Sequence, residues 1–179
     1  MAESRLPFTA RGTKLMDISR DELYMREAIA LAKEAASLGE APIGCVIVLD
    51  GEIIGRGFNL RESDGDPLAH AELIAIAEAK NHVHGWRLCD AELYVTLEPC
   101  PMCAGACINS RIERVVFGAY DKKAGSCGSV INLFELPYNH KPELSGGVLE
   151  EECAKLLSDF FLSLRERNKL RKIAKKDEN

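Results

Sequence analysis

Two short stretches constrain this chain more than any others: His70-Ala71-Glu72 and, about the length of one helix and one strand later, Pro99-Cys100-Pro101-Met102-Cys103. An imidazole and two thiolates fill three corners of a zinc tetrahedron, and no second CxxC or spaced histidine pair in the sequence supplies a fourth ligand. Any fold the chain adopts must therefore bring both stretches to one point. Three protein ligands leave a position open, where water binds and loses a proton near neutral pH. Glu72, two residues from a ligand, is placed to move that proton. Taken singly, Cys100 and Cys103 read as core thiols and Glu72 as helix N-terminal charge. Their joint occurrence favours a catalytic zinc site over a structural one, which would close all four positions, and over a redox CxxC, which has no use for the upstream His and Glu.

The 179 residues are 46% hydrophobic and 28% charged, the composition of one soluble globular domain with a sizeable core. We expect that domain at 18–172, after a flexible lead or vector remnant at 1–17 and before a charged tail at 173–179. No apolar run reaches the roughly 18–20 residues that span a bilayer, and residues 1–17 lack the apolar core of a signal peptide. The expected location is the cytoplasm, with no membrane contact. Seven cysteines, an odd number mostly inside apolar runs, argue against a disulfide framework. A formal net charge of −5 excludes a uniformly basic nucleic-acid-binding surface and confines any such contact to a local patch.

Ser19-Arg20-Asp21-Glu22 has the form of a capping box, and the spacing of Leu23, Met25, Ile29, Ala32 and Ala35 predicts an amphipathic helix through Leu38 that Gly39 ends. Residues 43–49 and 52–59 flank Asp50-Gly51, a pair that favours a type I′ hairpin; the apolar first strand is expected to be central and the second at an edge. A loop from Arg61 to Pro67 should lead into a helix that begins near Pro67 and runs through Ile76 and Ala79, with His70 and Glu72 in its first turn. Next come a strand over 91–97, a short apolar helix over 101–110 whose start carries both cysteines, a strand over 114–120, and an irregular glycine-rich link over 121–129. Two helix N-termini would thus meet at one metal, where unpaired N–H groups and the helix dipole favour an anionic site. From Leu149 to about Arg171 an apolar stripe of Cys153, Leu156, Leu157, Phe160, Phe161 and Leu164 gives way to basic residues, predicting a helix buried first and basic last. The histidines at 82, 84 and 140 read as solvated or structural, and Cys107, one turn beyond Cys103, as packing. Strands alternating with helices after an opening hairpin indicate an α/β fold, a three-layer α/β/α sandwich. Its central mixed sheet would have about five strands, with helices on both faces.

Several blocks resemble the bacterial tRNA-specific adenosine deaminases of the zinc-dependent cytidine and deoxycytidylate deaminase superfamily. They are Leu97 to Ala106, Ser110-Arg111-Ile112, Val115 to Ala119, Asp121-Lys122-Lys123-Ala124-Gly125 and Leu157-Ser158-Asp159-Phe160-Phe161, and the similarity spans about residues 20–168. The H-x-E…P-C-x-x-C core is common to zinc nucleobase deaminases and defines the chemistry; the flanking blocks point to the tRNA enzymes. The resemblance implies a cytidine-deaminase-like fold, one zinc per subunit on His70, Cys100 and Cys103, and hydrolytic deamination of adenosine to inosine at the wobble position of a tRNA anticodon. Zinc would activate water for attack on C6, with Glu72 as the catalytic proton shuttle. It further implies a tRNA anticodon stem-loop as partner, a homodimer, and substrate contacts from Asn59, Ile43, Ala71, Asp121, Lys123 and Arg165. Ile43 reads equally as ordinary core, and Asn59 also as a strand-end turn residue. The basic run at 165–176 reads as a solvated helix face or as a phosphate-contacting one. Pro101 stands where the bacterial enzymes commonly have an aliphatic residue, and Pro-Cys-Pro-Met-Cys occurs in related guanine deaminases. Beside the tRNA enzyme, a small-molecule guanine or cytosine deaminase and a non-catalytic zinc-stabilised RNA-binding module are the alternatives.

Overall fold

The structure, a computed structural model, describes residues 19–83 and 85–177; the expected lead at 1–17 and His84 lie outside them. The first helix, α1 (Arg20–Ser37), starts where Ser19 Oγ accepts the Glu22 N–H at 3.2 Å and ends before Gly39, whose φ is +84°. The hairpin β1 (Gly44–Leu49) and β2 (Glu52–Phe58) turns through Asp50 and Gly51, both at positive φ, as a type I′ turn requires. There follow α2 (Arg61–Asp64), α3 (Ala71–Ala79), β3 (Glu92–Leu97), α4 (Pro101–Ser110), β4 (Arg114–Ala119), β5 (Glu143–Gly146) and α5 (Glu150–Asp177). The sheet order is β2-β1-β3-β4-β5. Strand β1 is antiparallel to both its neighbours, while β3, β4 and β5 run parallel, so the sheet is mixed, with β1 inside and β2 at an edge.

Alternation along the central strands splits the core into two layers. Cys45, Ile47, Leu93, Val95, Val115 and Phe117 face α3 and α4, whereas Val46, Val48, Tyr94 and Val116 face α1 and the start of α5. This is the expected α/β/α sandwich. Helix α3 is seated unusually close to its strand: a Cβ on Gly55 would strike the carbonyl oxygen of Ala75, and one on Gly57 that of Ala71. The helix that carries the H-x-E stretch is thus held against the hairpin by two residues without side chains.

Four local expectations need correction. Residues 61–64, expected as loop, form the single helical turn α2. Helix α3 begins at Ala71 and not near Pro67, because Asp66 Oδ1 accepts the Leu68 N–H and holds a turn there; His70 is the N-cap. Strand β5, short, half-exposed and without strong alternation, supplies the fifth strand of the expected sheet. The apolar stripe of α5 is not buried as a whole. Cys153 is enclosed, Leu156 and Leu157 pack against the core, but Phe160 and Leu164 are half-buried and Phe161 is 44% exposed. A helix of 28 residues is about 42 Å long, about twice the depth of strands of six residues, so its later turns leave the sheet behind. It continues to Asp177, into the stretch expected as a charged tail.

At the amino ends of β3 and β4, Arg114 pairs with Asp21 at 2.7 Å and Glu92 at 3.2 Å, and Tyr94 donates to both carboxylates. Bonds from Arg114 hold the Asp21 carboxyl below its usual range; burial pushes Glu92 up, but Tyr94, Arg20 and Arg114 together hold it down. A carboxylate whose pKa is lower in the folded than in the unfolded chain contributes stability that is complete above the unfolded value and lost as pH falls through the folded one. We therefore expect the melting temperature to drop as pH is lowered from about 5 to about 3. Arg114→Met should make that drop shallower while lowering stability at pH 7; an unchanged slope in thermal melts would remove the network from this role. Gly57→Ala should cost about 1–3 kcal/mol, a fall in melting temperature of roughly 3–10 °C, through displacement of α3.

Candidate metal and catalytic site

The metal-binding residues come from the starts of two helices. His70 is the N-cap of α3 and Cys100 the N-cap of α4, with Pro101 in the first turn, where its missing N–H has no partner to lose. Strand β3 delivers the chain directly into Glu98-Pro99-Cys100, so the cysteines lie at the carboxyl end of a parallel strand, where α/β sheets place their sites. His70 Nδ1 is 3.5 Å from Cys103 Sγ and 3.8 Å from Cys100 Sγ, and the three donor atoms lie within 4.8 Å of one another. Tetrahedral zinc at ordinary bond lengths requires donor separations of about 3.6–3.8 Å, so these residues fit the ion. No other described group of His, Cys, Asp or Glu has this form.

The charges point the same way. The hydrogen bond from Cys103, and then His70, brings the Cys100 thiol down to about 4, while that same bond and burial push Cys103 up. Bonding to Cys100 raises the His70 imidazole. The three groups compete for protons, and a divalent cation resolves that competition by taking both sulfurs as thiolates and the ring as neutral. Glu72 is 4% exposed in the first turn of α3; burial and then the nearby Cys100 thiolate push its carboxyl above the usual range, as a proton carrier requires. Cys107 is buried in the core behind Cys103 and outside the ligand group. His140 is structural, with Nε2 at 2.6 Å from the Ile112 carbonyl oxygen, while His82 is exposed.

The expected substrate residues fall into three places. Asn59, buried at the end of β2, lines a cleft of about 330 Å³ with Gly39, Arg61, Phe160, Phe161 and Leu164, so the uncovered part of the α5 stripe is one of its walls. The Leu60 N–H to Ala69 carbonyl bond at 3.0 Å ties this end of β2 to the residue before His70. Ile43 is half-buried against the α3 side of the core and its carbonyl accepts the Asn59 N–H, while Ala71 is buried as the first residue of α3. Asp121 and Lys123 sit on the loop after β4, where Asp121 Oδ1 accepts the Lys123 N–H at 2.9 Å. Arg165 is exposed, one residue beyond the cleft wall on α5.

Two organising residues were missed at the level of sequence: Glu98 and Glu40. Glu98, 2% exposed, accepts the backbone N–H groups of Asp121, Cys127 and Ser129 at 3.0 Å and the Ser129 hydroxyl. Burial pushes its carboxyl up, but these four donors hold it below the usual range. The loop of Asp121 and Lys123 is thereby fastened to the strand end that carries Cys100, and Ser126 adds a bond to the Pro99 carbonyl at 2.8 Å. Glu40 does the same for the other loop, through Asn59 and the amides of Glu62 and Ser63. The available signal was an acidic residue beside an apolar segment, next to a loop rich in small residues.

Residues 18–119 match the model of the cytidine and deoxycytidylate deaminase zinc-binding region. The chain is 55% identical to the tRNA-specific adenosine deaminase of Bacillus subtilis over 153 residues, 85% of this chain and 95% of that one. A solved structure from studies of A-to-I editing by tRNA:A34 deaminases at the wobble position superimposes with a TM-score of 0.73 at 41% identity, over 75% of this chain and 99% of that one. The guanine deaminase of Bacillus subtilis gives 0.55 at 36% identity, over 67% and 80%. A buried glutamate beside one histidine and two cysteines, on the helix starts of a five-stranded mixed sheet, together with the matched region, makes this chain a member of the cytidine and deoxycytidylate deaminase zinc-binding family.

Proposed function

We infer that the protein deaminates adenosine to inosine at the wobble position of a tRNA anticodon, with release of ammonia. The observation that carries this reading is the pairing of the His70, Cys100, Cys103 and Glu72 site with near full-length similarity to tRNA-specific adenosine deaminases. His70, Cys100 and Cys103 hold zinc, which supplies the Lewis acidity that makes water a nucleophile near neutral pH. Glu72 takes a proton from the attacking water, passes it to the ring nitrogen of adenine, and later assists departure of the amine. Its burial keeps bulk water away from these transfers. Asn59 and Ile43 border the flipped nucleoside, with Ala71 at the start of α3 beside them. Asp121 and Lys123 handle neighbouring nucleotides from the opposite loop. Arg165 and the basic turns after it contact phosphate, which lets a protein of net charge −5 bind RNA through one patch.

Deamination of free guanine is the second reading, favoured by Pro101 in the P-C-P-M-C stretch. We further propose that the chain folds as a single domain at 18–172 and that its active form is a cytoplasmic homodimer. In support, Pro101, Gly105, Ile108 and Asn109 of α4 border a groove of about 240 Å³ with Leu133 and the half-exposed Tyr138, a surface suited to a second copy. No helix among the described residues is long and apolar enough to cross a membrane.

Incubation of the zinc-loaded protein with an anticodon-stem-loop RNA should produce inosine, and free guanine, cytosine or adenosine should not be consumed. Consumption of a free base without inosine in RNA would replace this reading by the second. Glu72→Gln should lower turnover about 10²–10⁴-fold with zinc still at one per chain, whereas Cys103→Ala should lose zinc by elemental analysis. Arg165→Ala should weaken RNA binding and reduce the salt slope of the affinity by about one; an unchanged slope would exclude a phosphate contact.

A further inference from the structure

Beneath Asn59 lies a carboxylate that the chemistry at the zinc site does not use. Glu40 directly follows the turn at Gly39 and is 1% exposed. Its Oε2 accepts Asn59 Nδ2 at 2.9 Å and the Glu62 N–H at 3.3 Å, while Oε1 accepts the Ser63 N–H at 2.5 Å. Burial pushes this carboxyl up, but the bonds from Ser63 and Glu62 and the charge of Arg61 hold it below the usual range. At neutral pH it is therefore ionised and can only accept. An asparagine amide has two orientations of similar shape and opposite polarity. Against an ionised carboxylate one of them sets acceptor on acceptor, so Nδ2 must face Glu40. Oδ1 has no protein partner among the described residues, where no buried side-chain nitrogen or oxygen lacks one, so Oδ1 is accessible; Asn59 and Glu40 both line the cleft beside Arg61 and the α5 wall.

We propose that Glu40 is a positioning residue for substrate: it locks the Asn59 amide with Oδ1 outward, so that the bound nucleoside meets a preset acceptor, and joins that lock to the α2 turn through Glu62 and Ser63. The proposal rests on Asn59 being a substrate contact. Without Glu40 the amide must choose its orientation after the nucleoside arrives, and that ordering is then charged to the reacting complex.

The test compares wild type, E40Q, N59A and E40Q/N59A by single-turnover inosine formation in an anticodon-stem-loop RNA, by RNA affinity and by zinc content. A glutamine at 40 offers an N–H to Asn59 and lets the amide invert. E40Q is expected to slow the single-turnover step about tenfold, to leave RNA affinity within about threefold because phosphate contacts dominate it, and to keep zinc at one per chain. In the N59A background the same change should slow the step by less than about twofold. Equal slowing in both backgrounds would mean that Glu40 holds only the turn, and would overturn the proposal. A wild type that makes no inosine would instead overturn the function on which it rests. Should E40Q fail to fold, N59D decides: facing an ionised Glu40 it should melt about 3 °C or more below N59A, and equal melting would refute the lock.

Discussion

Everything in this molecule depends on the convergence of two helix N-termini on one point. The imidazole of His70 and the sulfurs of Cys100 and Cys103 are within bonding reach of a single ion only because α3 and α4 both begin at the same end of the sheet, past the carboxyl ends of β2 and β3. For α4 this follows from chain connection, since it starts directly after β3. For α3 it follows from packing. Gly55 and Gly57 let the helix lie against β2 at a distance that any side chain would forbid, and the first turn, with Ala71 and Glu72, is held at the hairpin end nearest the cysteines. Geometry that looks like coordination chemistry is thus set largely by the thickness of a helix–sheet contact.

Around that point the protein uses buried carboxylates as fasteners. Glu98, two residues before Cys100, and Glu40, bonded to Asn59, each collect backbone N–H groups from a neighbouring loop. An acceptor-only group surrounded by donors forms strong, directional bonds in a low-dielectric setting, so a loop without regular structure can still have one conformation. Gly125 shows how closely this is fitted, because a Cβ there would collide with the Glu98 carboxylate.

Much of this was legible in the sequence, and the failures have common causes. The grouping of His70, Cys100 and Cys103, with Glu72 buried beside them, was readable because zinc chemistry demands particular residue types at particular spacing. The strands of the central sheet were readable because alternation and continuous apolar runs are period signals, as in the stretch from Cys45 to Val48. The start of α3 was misplaced because Pro67 announces a helix that an Asp66 turn postpones. Strand β5 was not located because four half-exposed residues carry no period. The α5 stripe was read as buried because periodicity reports which side of a helix is apolar and says nothing of whether a partner reaches that far along it. The roles of Glu40 and Glu98 were harder to read for a related reason: most of their partners are backbone amides from 22 to 31 residues away, and a backbone amide has no letter in a sequence.

That last feature has an evolutionary side. Because the two framing loops are anchored largely by their main chains, most side chains on them, Gly125 and Ser129 apart, can change without loosening the frame. The surface presented to a ligand can then be rewritten residue by residue while the reaction centre beneath it keeps its shape. A scaffold with this separation between anchorage and display is suited to give rise to paralogues that share one reaction and differ in what they act upon.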